Sequence, residues 1–377
     1  MNPLTQRSLE VDFFRGVVLL VIAVDHISGS VLSNFTLHKF AFCDSAEVFV
    51  FLGGYASAAA YTSLATRRSE SAARRRFFRR SWEIYRAYLF TAALMLLGGA
   101  MLMLLRIDSP MLEYSEWPVF LGRPLDLIFE VAVLRHQPYL SSVLPMYALF
   151  ALAVPFVVPL AERKPVVALF GSLGIWLFAS TFSHALPSAD AQGWSFNPFA
   201  WQLMFTMGIL ARTQPVSAAF HASAGARWLT RAALVVVLTF AFAKLFIETQ
   251  PPPGYMKQNL ATMRIVSFVV IAWVVARAVH AGWIGSLARS LPGVVTIGQQ
   301  GLVCFIAGTG VSVVLDSALR VIPAGHYQWL AGLSADALAI GSLLWFARYW
   351  RDRKRVQRVV AVKGEPVPAH AANRRDR

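Results

Sequence analysis

Arg15 and His26 lie eleven residues apart in the apolar segment DFFRGVVLLVIAVDH, residues 12–26. Ionisable side chains inside a hydrophobic run are costly and mark functional sites by default. Eleven helical residues turn through about three turns plus about 20°, so the two side chains share one helix face, about 16 Å apart along the axis. Asp12 falls within about 60° of the same stripe. Imidazole is the side chain best matched to taking a proton from a hydroxyl near neutral pH. A guanidinium at the other end of that face suits phosphate through forked hydrogen bonds. The plainer reading of His26 is an interhelical hydrogen bond. Asp25 neighbours His26 but points about 100° away, so it need not orient the ring.

The next apolar segment begins DSAEVFVFLGGYASAAAY, residues 44–61. Asp44 and Glu47 share a face near its start. A carboxylate opening a hydrophobic run needs a partner, and the far half of the first segment offers His26. His26, Glu47 and Asp25 are therefore the candidate catalytic residues. Gly53 with Ser57, and Gly54 with Ala58, are small pairs that permit close helix approach, and packing is their expected role. The run RRSESAARRRFFRRSWEIYR, residues 67–86, is the densest basic stretch outside the C-terminal tail. A topology signal with lipid-headgroup contact is the plain reading. The functional reading is a docking site for a polyanion such as acyl-CoA. Arg79 and Arg80, nearest the following apolar segment, are the candidates in that run, with Arg15 as the third cofactor-binding candidate. Trp201, Gln202, Gln299, Gln300, Lys244 and Arg264 are weaker signals, equally suited to bonds across helices.

These residues must be held by a membrane bundle. The chain has 377 residues, 56% of them hydrophobic and only 15% charged, and its mean hydropathy is +0.53. A soluble enzyme carries about 25% charge. Stretches of about 20 apolar residues mark spans, read here as 11–33, 46–65, 84–105, 140–160, 166–183, 197–212, 229–247, 263–281, 294–315 and 328–349. The fold class is all-α, a polytopic bundle of about ten transmembrane helices. Of the 35 Lys and Arg residues, only Lys39, Arg106, Arg123, Arg135, Lys257 and Arg320 fall in one set of alternate connections. The positive-inside rule then puts both termini in the cytoplasm, as expected of a multi-pass protein of a bacterial inner membrane. That pattern also explains the net charge of +15 without a nucleic-acid partner. Residues 1–350 read as one membrane domain and 351–377 as a basic, disordered cytoplasmic tail. The long connection 106–139 contains VFLGRPLDLIFEVAVL, read as an interfacial or re-entrant helix or as a surface helix on the bundle. A cleavable signal peptide is not expected, because Asp12 and Arg15 interrupt the first apolar stretch. Two cysteines, Cys43 and Cys304, exclude a disulfide framework by number. His136, His184 and His326 are scattered and lack metal-ligand spacing, and HExxH, paired CxxC and P-loop motifs are absent, so no metal site is expected.

LEVDFFRGVVLLVIAVDH, DSAEVFVFLGGY and RRSWEIYRAYL resemble, in order, the first three spans of the OpgC family of membrane acyltransferases, within the wider acyltransferase-3 group. GQQGLVCF, residues 298–305, is a weaker match to a late span. The chain departs from the wider group in lacking an HLWFL-like signature before the fourth span, where it reads YLSSVLPMYALF. The resemblance implies transfer of an acyl group, succinyl in OpgC itself, from cytoplasmic acyl-CoA to a periplasmic glycan such as osmoregulated periplasmic glucan. It makes His26 the counterpart of the catalytic histidine and Arg15 that of the motif arginine at the CoA end, with Glu47 carried over only as a segment match.

No permanently bound cofactor is expected; acyl-CoA is a donor substrate, and membrane lipids are the other partners. General-base help is typically worth about 10²–10⁴-fold in rate. A covalent acyl relay on His26 is the alternative route, and the residues do not choose between them. A transporter or flippase for an anionic or lipid-linked substrate is the competing reading, since it too needs intramembrane charge. The arginine run and the lack of visible internal repeats favour the enzyme.

Overall fold

The computed structural model describes residues 8–191, 193–248, 253–322, 325 and 327–363. His326 and tail residues 364–377 lie outside them. The described residues are predominantly helical and include no strand. The principal helices are α1 Leu9–Asp25, α2 Ser45–Arg67, α3 Glu70–Leu104, α4 Val143–Arg163, α5 Pro165–Leu177, α6 Pro198–Thr213, α7 Ala224–Phe242, α8 Thr262–His280, α9 Pro292–Gln299, α10 Gly301–Val321 and α11 Gln328–Lys363. Among the described residues, seven helical stretches are long and apolar enough to cross a membrane, those built on α2, α3, α4, α7, α8, α10 and α11. The three shorter helices read as spans are α1 with 17 residues, α5 with 13 and α6 with 16.

Three readings need correction. The arginine run is not a bare connection between two apolar segments. Ser69 accepts a hydrogen bond from the Ala72 amide as N-cap and opens the 35-residue α3, so Arg74 to Arg86 ride on the first turns of a helix. Segment 294–315 is not one helix. It breaks at Gln300, between α9 and α10, and Lys354 donates from α11 to the exposed Gln300 side-chain oxygen at 2.9 Å. The tail does not begin at 351, because α11 continues to Lys363. Its residues 351–363, rich in Arg, Lys, Gln and Val, contain no Gly or Pro to end the helix.

Close packing follows the small residues. Gly16 on α1 sits against the Val294 backbone, and Gly298 on α9 against that of Asp12. Gly54 on α2 meets Phe205, and Gly208 on α6 meets Phe51. A Cβ at any of the four would collide with backbone, so α1–α9 and α2–α6 approach backbone to backbone at these glycines. Between α3 and α4 the connection 106–139 folds into short helices, Trp117–Gly122 and Pro124–Ala132, separated at Arg123 by Pro124. Leu127 and Val131 face inward while Leu125, Ile128 and Phe129 are exposed. The Tyr88 hydroxyl on α3 lies 3.0 Å from the Val131 carbonyl oxygen and 2.8 Å from that of His136, fixing this segment to the bundle.

Candidate functional site

α1 ends at Asp25, and His26 is its C-cap. The Ser-Gly-Ser sequence that follows favours an end there, and acids from two distant helices pin the departing chain. Asp316 on α10 accepts from the Ser28 amide at 2.7 Å. Asp336 on α11 accepts from the amides of Val31 and Leu32, both at 2.9 Å. Both acids are almost wholly buried. The His26 Nδ1 lies 2.6 Å from the Ile22 carbonyl oxygen. A carbonyl only accepts, so in the neutral ring Nδ1 carries the proton and Nε2 keeps its lone pair. The ring meets Tyr139 edge-on, with centroids 5.8 Å apart.

Asp25 and Glu47 are committed elsewhere. Asp25 accepts from the Thr36 hydroxyl at 2.8 Å and lies 3.6 Å from His38 Nδ1, so it braces the loop after α1. Glu47 is fully buried and accepts from Arg264 Nε at 2.6 Å and from the Asp44 amide at 2.8 Å. Its partner is therefore Arg264 on α8, not His26. The second contact completes a capping box that starts α2. Asp44 also binds Lys257 at 2.8 Å and Arg264 at 3.0 Å. Burial opposes ionisation of Asp44, but the Lys257 and Arg264 charges outweigh it and hold the carboxyl below its ordinary range. Lys257 answers in kind: burial acts against its charge, and Asp44 holds its pKa above the ordinary value.

His26 lines a small chamber with Tyr139, Lys257, Phe49 and Phe305 among its walls. Arg15 lines a separate cavity of about 910 Å³ together with Arg67, Arg68, Arg75, Arg76, Arg79 and Arg80. The sequence-nominated Arg15, Arg79 and Arg80 thus face one space. Gly301, where α10 begins, leaves room for the Arg15 guanidinium; a Cβ there would stand 2.6 Å from its Nη2. Arg80 is bound to Glu83 at 3.1 Å. Phe49 and Phe305 line both spaces, and their stacked rings, with centroids 6.1 Å apart, stand between them.

A family model described as OpgC protein matches residues 7–355. The chain belongs to the OpgC protein family. The match begins before α1 and reaches into α11, so both cavities of this OpgC-family chain lie inside it. Family membership points to a membrane-associated, acyltransferase-like role. Comparison with curated proteins and with solved structures returned no match.

Trp201, Gln202 and Lys244 contact neighbouring elements. The Trp201 indole donates to the Lys257 carbonyl at 3.1 Å, and Gln202 exchanges bonds with Ser172. Lys244 lies 3.7 Å from Glu248 and over the Phe42 ring. Sequence reasoning missed Lys257 and Tyr139 in the chamber and Asp316 and Asp336 behind His26. The two acids carried a signal, being carboxylates within apolar runs.

Proposed function

We propose that the chain is an O-acyltransferase that takes an acyl group from acyl-CoA at the arginine-lined cavity and passes it to a glycan hydroxyl in the His26 chamber. The acyl group is succinyl and the acceptor an osmoregulated periplasmic glucan, as the family resemblance implies. The observation that carries the reading is the arrangement of two spaces divided by Phe49 and Phe305, with Arg15 and six further arginines on one side and His26 on the other. Phosphates suit the arginines through charge-assisted bonds. A thioester reaching past the aromatic pair comes beside the imidazole.

The acceptor hydroxyl gives its proton to His26 Nε2 as its oxygen attacks the thioester carbonyl. The C–S bond then breaks, and the leaving thiolate takes that proton from the His26 imidazolium, giving free CoA thiol and the neutral ring. In this reading the chain crosses an inner membrane ten times, with α1, α5 and α6 added to the seven longer stretches, and the distribution of Lys and Arg favours cytoplasmic termini. Arginines then face the compartment that holds acyl-CoA, and His26 lies toward the periplasm.

The test is thiol release from succinyl-CoA by purified protein in liposomes, with and without periplasmic glucan. Glucan-dependent release, matched by succinyl ester on the glucan, is the expected result. Binding of succinyl-CoA without any acceptor-dependent release would contradict the assignment.

A further inference from the structure

Tyr147 stands on α4 at the arginine side of the aromatic partition. It lines the same cavity as Arg15. Its ring meets Phe49 edge-on at 5.3 Å and Phe150 at 6.2 Å. These contacts would serve a phenylalanine equally well. The hydroxyl, however, is buried and has no hydrogen-bond partner among the described residues. Leaving such a group unsatisfied costs about 1–3 kcal/mol. Opposite it, α2 presents Gly53, where a Cβ would stand 2.9 Å from Tyr147 Cε1 and 3.2 Å from the hydroxyl oxygen. The absent side chain at Gly53 therefore leaves room for the Tyr147 ring and hydroxyl where they stand.

We propose that the Tyr147 hydroxyl donates a hydrogen bond to an amide carbonyl of the pantetheine arm of the donor, holding that arm in line between Arg15 and His26. The assignment rests on the acyl-CoA reading above. The chemistry selects the arm rather than the nucleotide. Phosphates are matched by the arginines, whereas a neutral phenol beside a phenylalanine suits a neutral carbonyl. The pantetheine amides are the neutral carbonyls that follow the phosphates on the way to the sulfur. Tyr147 touches the donor and not the reacting atoms, so it is a binding and positioning residue.

The experiment compares two probes on the full-length protein in detergent: CoA, and 3′,5′-adenosine diphosphate, which keeps the nucleotide phosphates and lacks the arm. Tyr147→Phe should weaken CoA about 2- to 13-fold, the range for one neutral hydrogen bond. It should leave the nucleotide unchanged and thermal stability undiminished, because no protein bond is lost. Gly53→Ala should push the ring aside and weaken CoA selectively in the same way. Equal CoA affinity in Tyr147→Phe, or equal loss for both probes, would overturn the assignment while leaving the donor reading intact. Failure of the wild-type protein to bind CoA would overturn both.

Discussion

Arg264 Nε donates to Glu47 Oε1 at 2.6 Å across α8 and α2, in a pair whose side chains are 7% and 0% exposed. Asp44 and Lys257 extend it into a four-residue network at one end of the bundle. Two acids face two cations there, so the group is electrically balanced. Its geometry explains why α2, with Phe49 on one face, keeps a fixed position beside the His26 chamber.

Breaking one half of that pair strands the other charge, which typically costs about 3–5 kcal/mol. Arg264→Met should therefore lower the melting temperature of the detergent-purified protein sharply, as should Glu47→Leu. The double variant should recover much of the loss. Activity per folded molecule should survive in the double variant, because the proposed proton acceptor is His26 and Glu47 is bonded to Arg264. A fully folded double variant without transfer activity would return Glu47 to the chemistry.

Arg15 and Gly301 should behave as a pair. Arg15→Ala should weaken acyl-CoA binding about 10- to 150-fold, the range for a charge-assisted contact of about 1.5–3 kcal/mol. Gly301→Ala should weaken it too, since the added Cβ displaces only the flexible end of Arg15. Arg79→Ala and Arg80→Ala should cost less, because exposed cations are screened by salt and Arg80 is shared with Glu83. Calorimetric titration of each variant checks the order. Equal losses at Arg15 and Arg79 would show that the whole arginine face, and not Arg15, anchors the phosphates.

His136, in the connection before α4, lies 3.2 Å from Glu116 and 3.7 Å from Asp190. The Glu116 carboxylate beside it raises its pKa above the ordinary 6.5 against the effect of burial, with the charges of Asp190 and Glu130 adding to the rise. A raised folded-state pKa gives stabilisation that is complete below the unfolded value and is lost as pH rises through the folded one. Thermal stability should therefore fall as pH is raised from 6.5 through that folded value. His136→Gln should flatten that slope. An unchanged slope in the variant would place the pH dependence in another group.

The sequence made the helical membrane bundle legible because apolar stretches of span length are a local property. Arg15, Arg79, Arg80 and His26 were legible for the same reason: charge within or beside such a stretch stands out. The partner of Glu47 was not, because Arg264 is 217 residues away and nothing local marks the pairing. The break at Gln300 was hidden by apolar residues that continue on both sides of it. The orphan hydroxyl of Tyr147 shows only once α2 and α4 are packed together.

The central claim is that His26 Nε2 takes the acceptor's proton, Nδ1 being held by the Ile22 carbonyl at 2.6 Å. The most direct measurement is acyl transfer by His26→Gln, at matched expression and with acyl-CoA binding measured on the same samples. Glutamine keeps polarity and hydrogen bonding at this position but cannot act as a base. The account predicts acyl-CoA binding near the wild-type level with transfer reduced about 10²–10⁴-fold. Substantial transfer by His26→Gln would contradict it and reduce His26 to a hydrogen-bonding role.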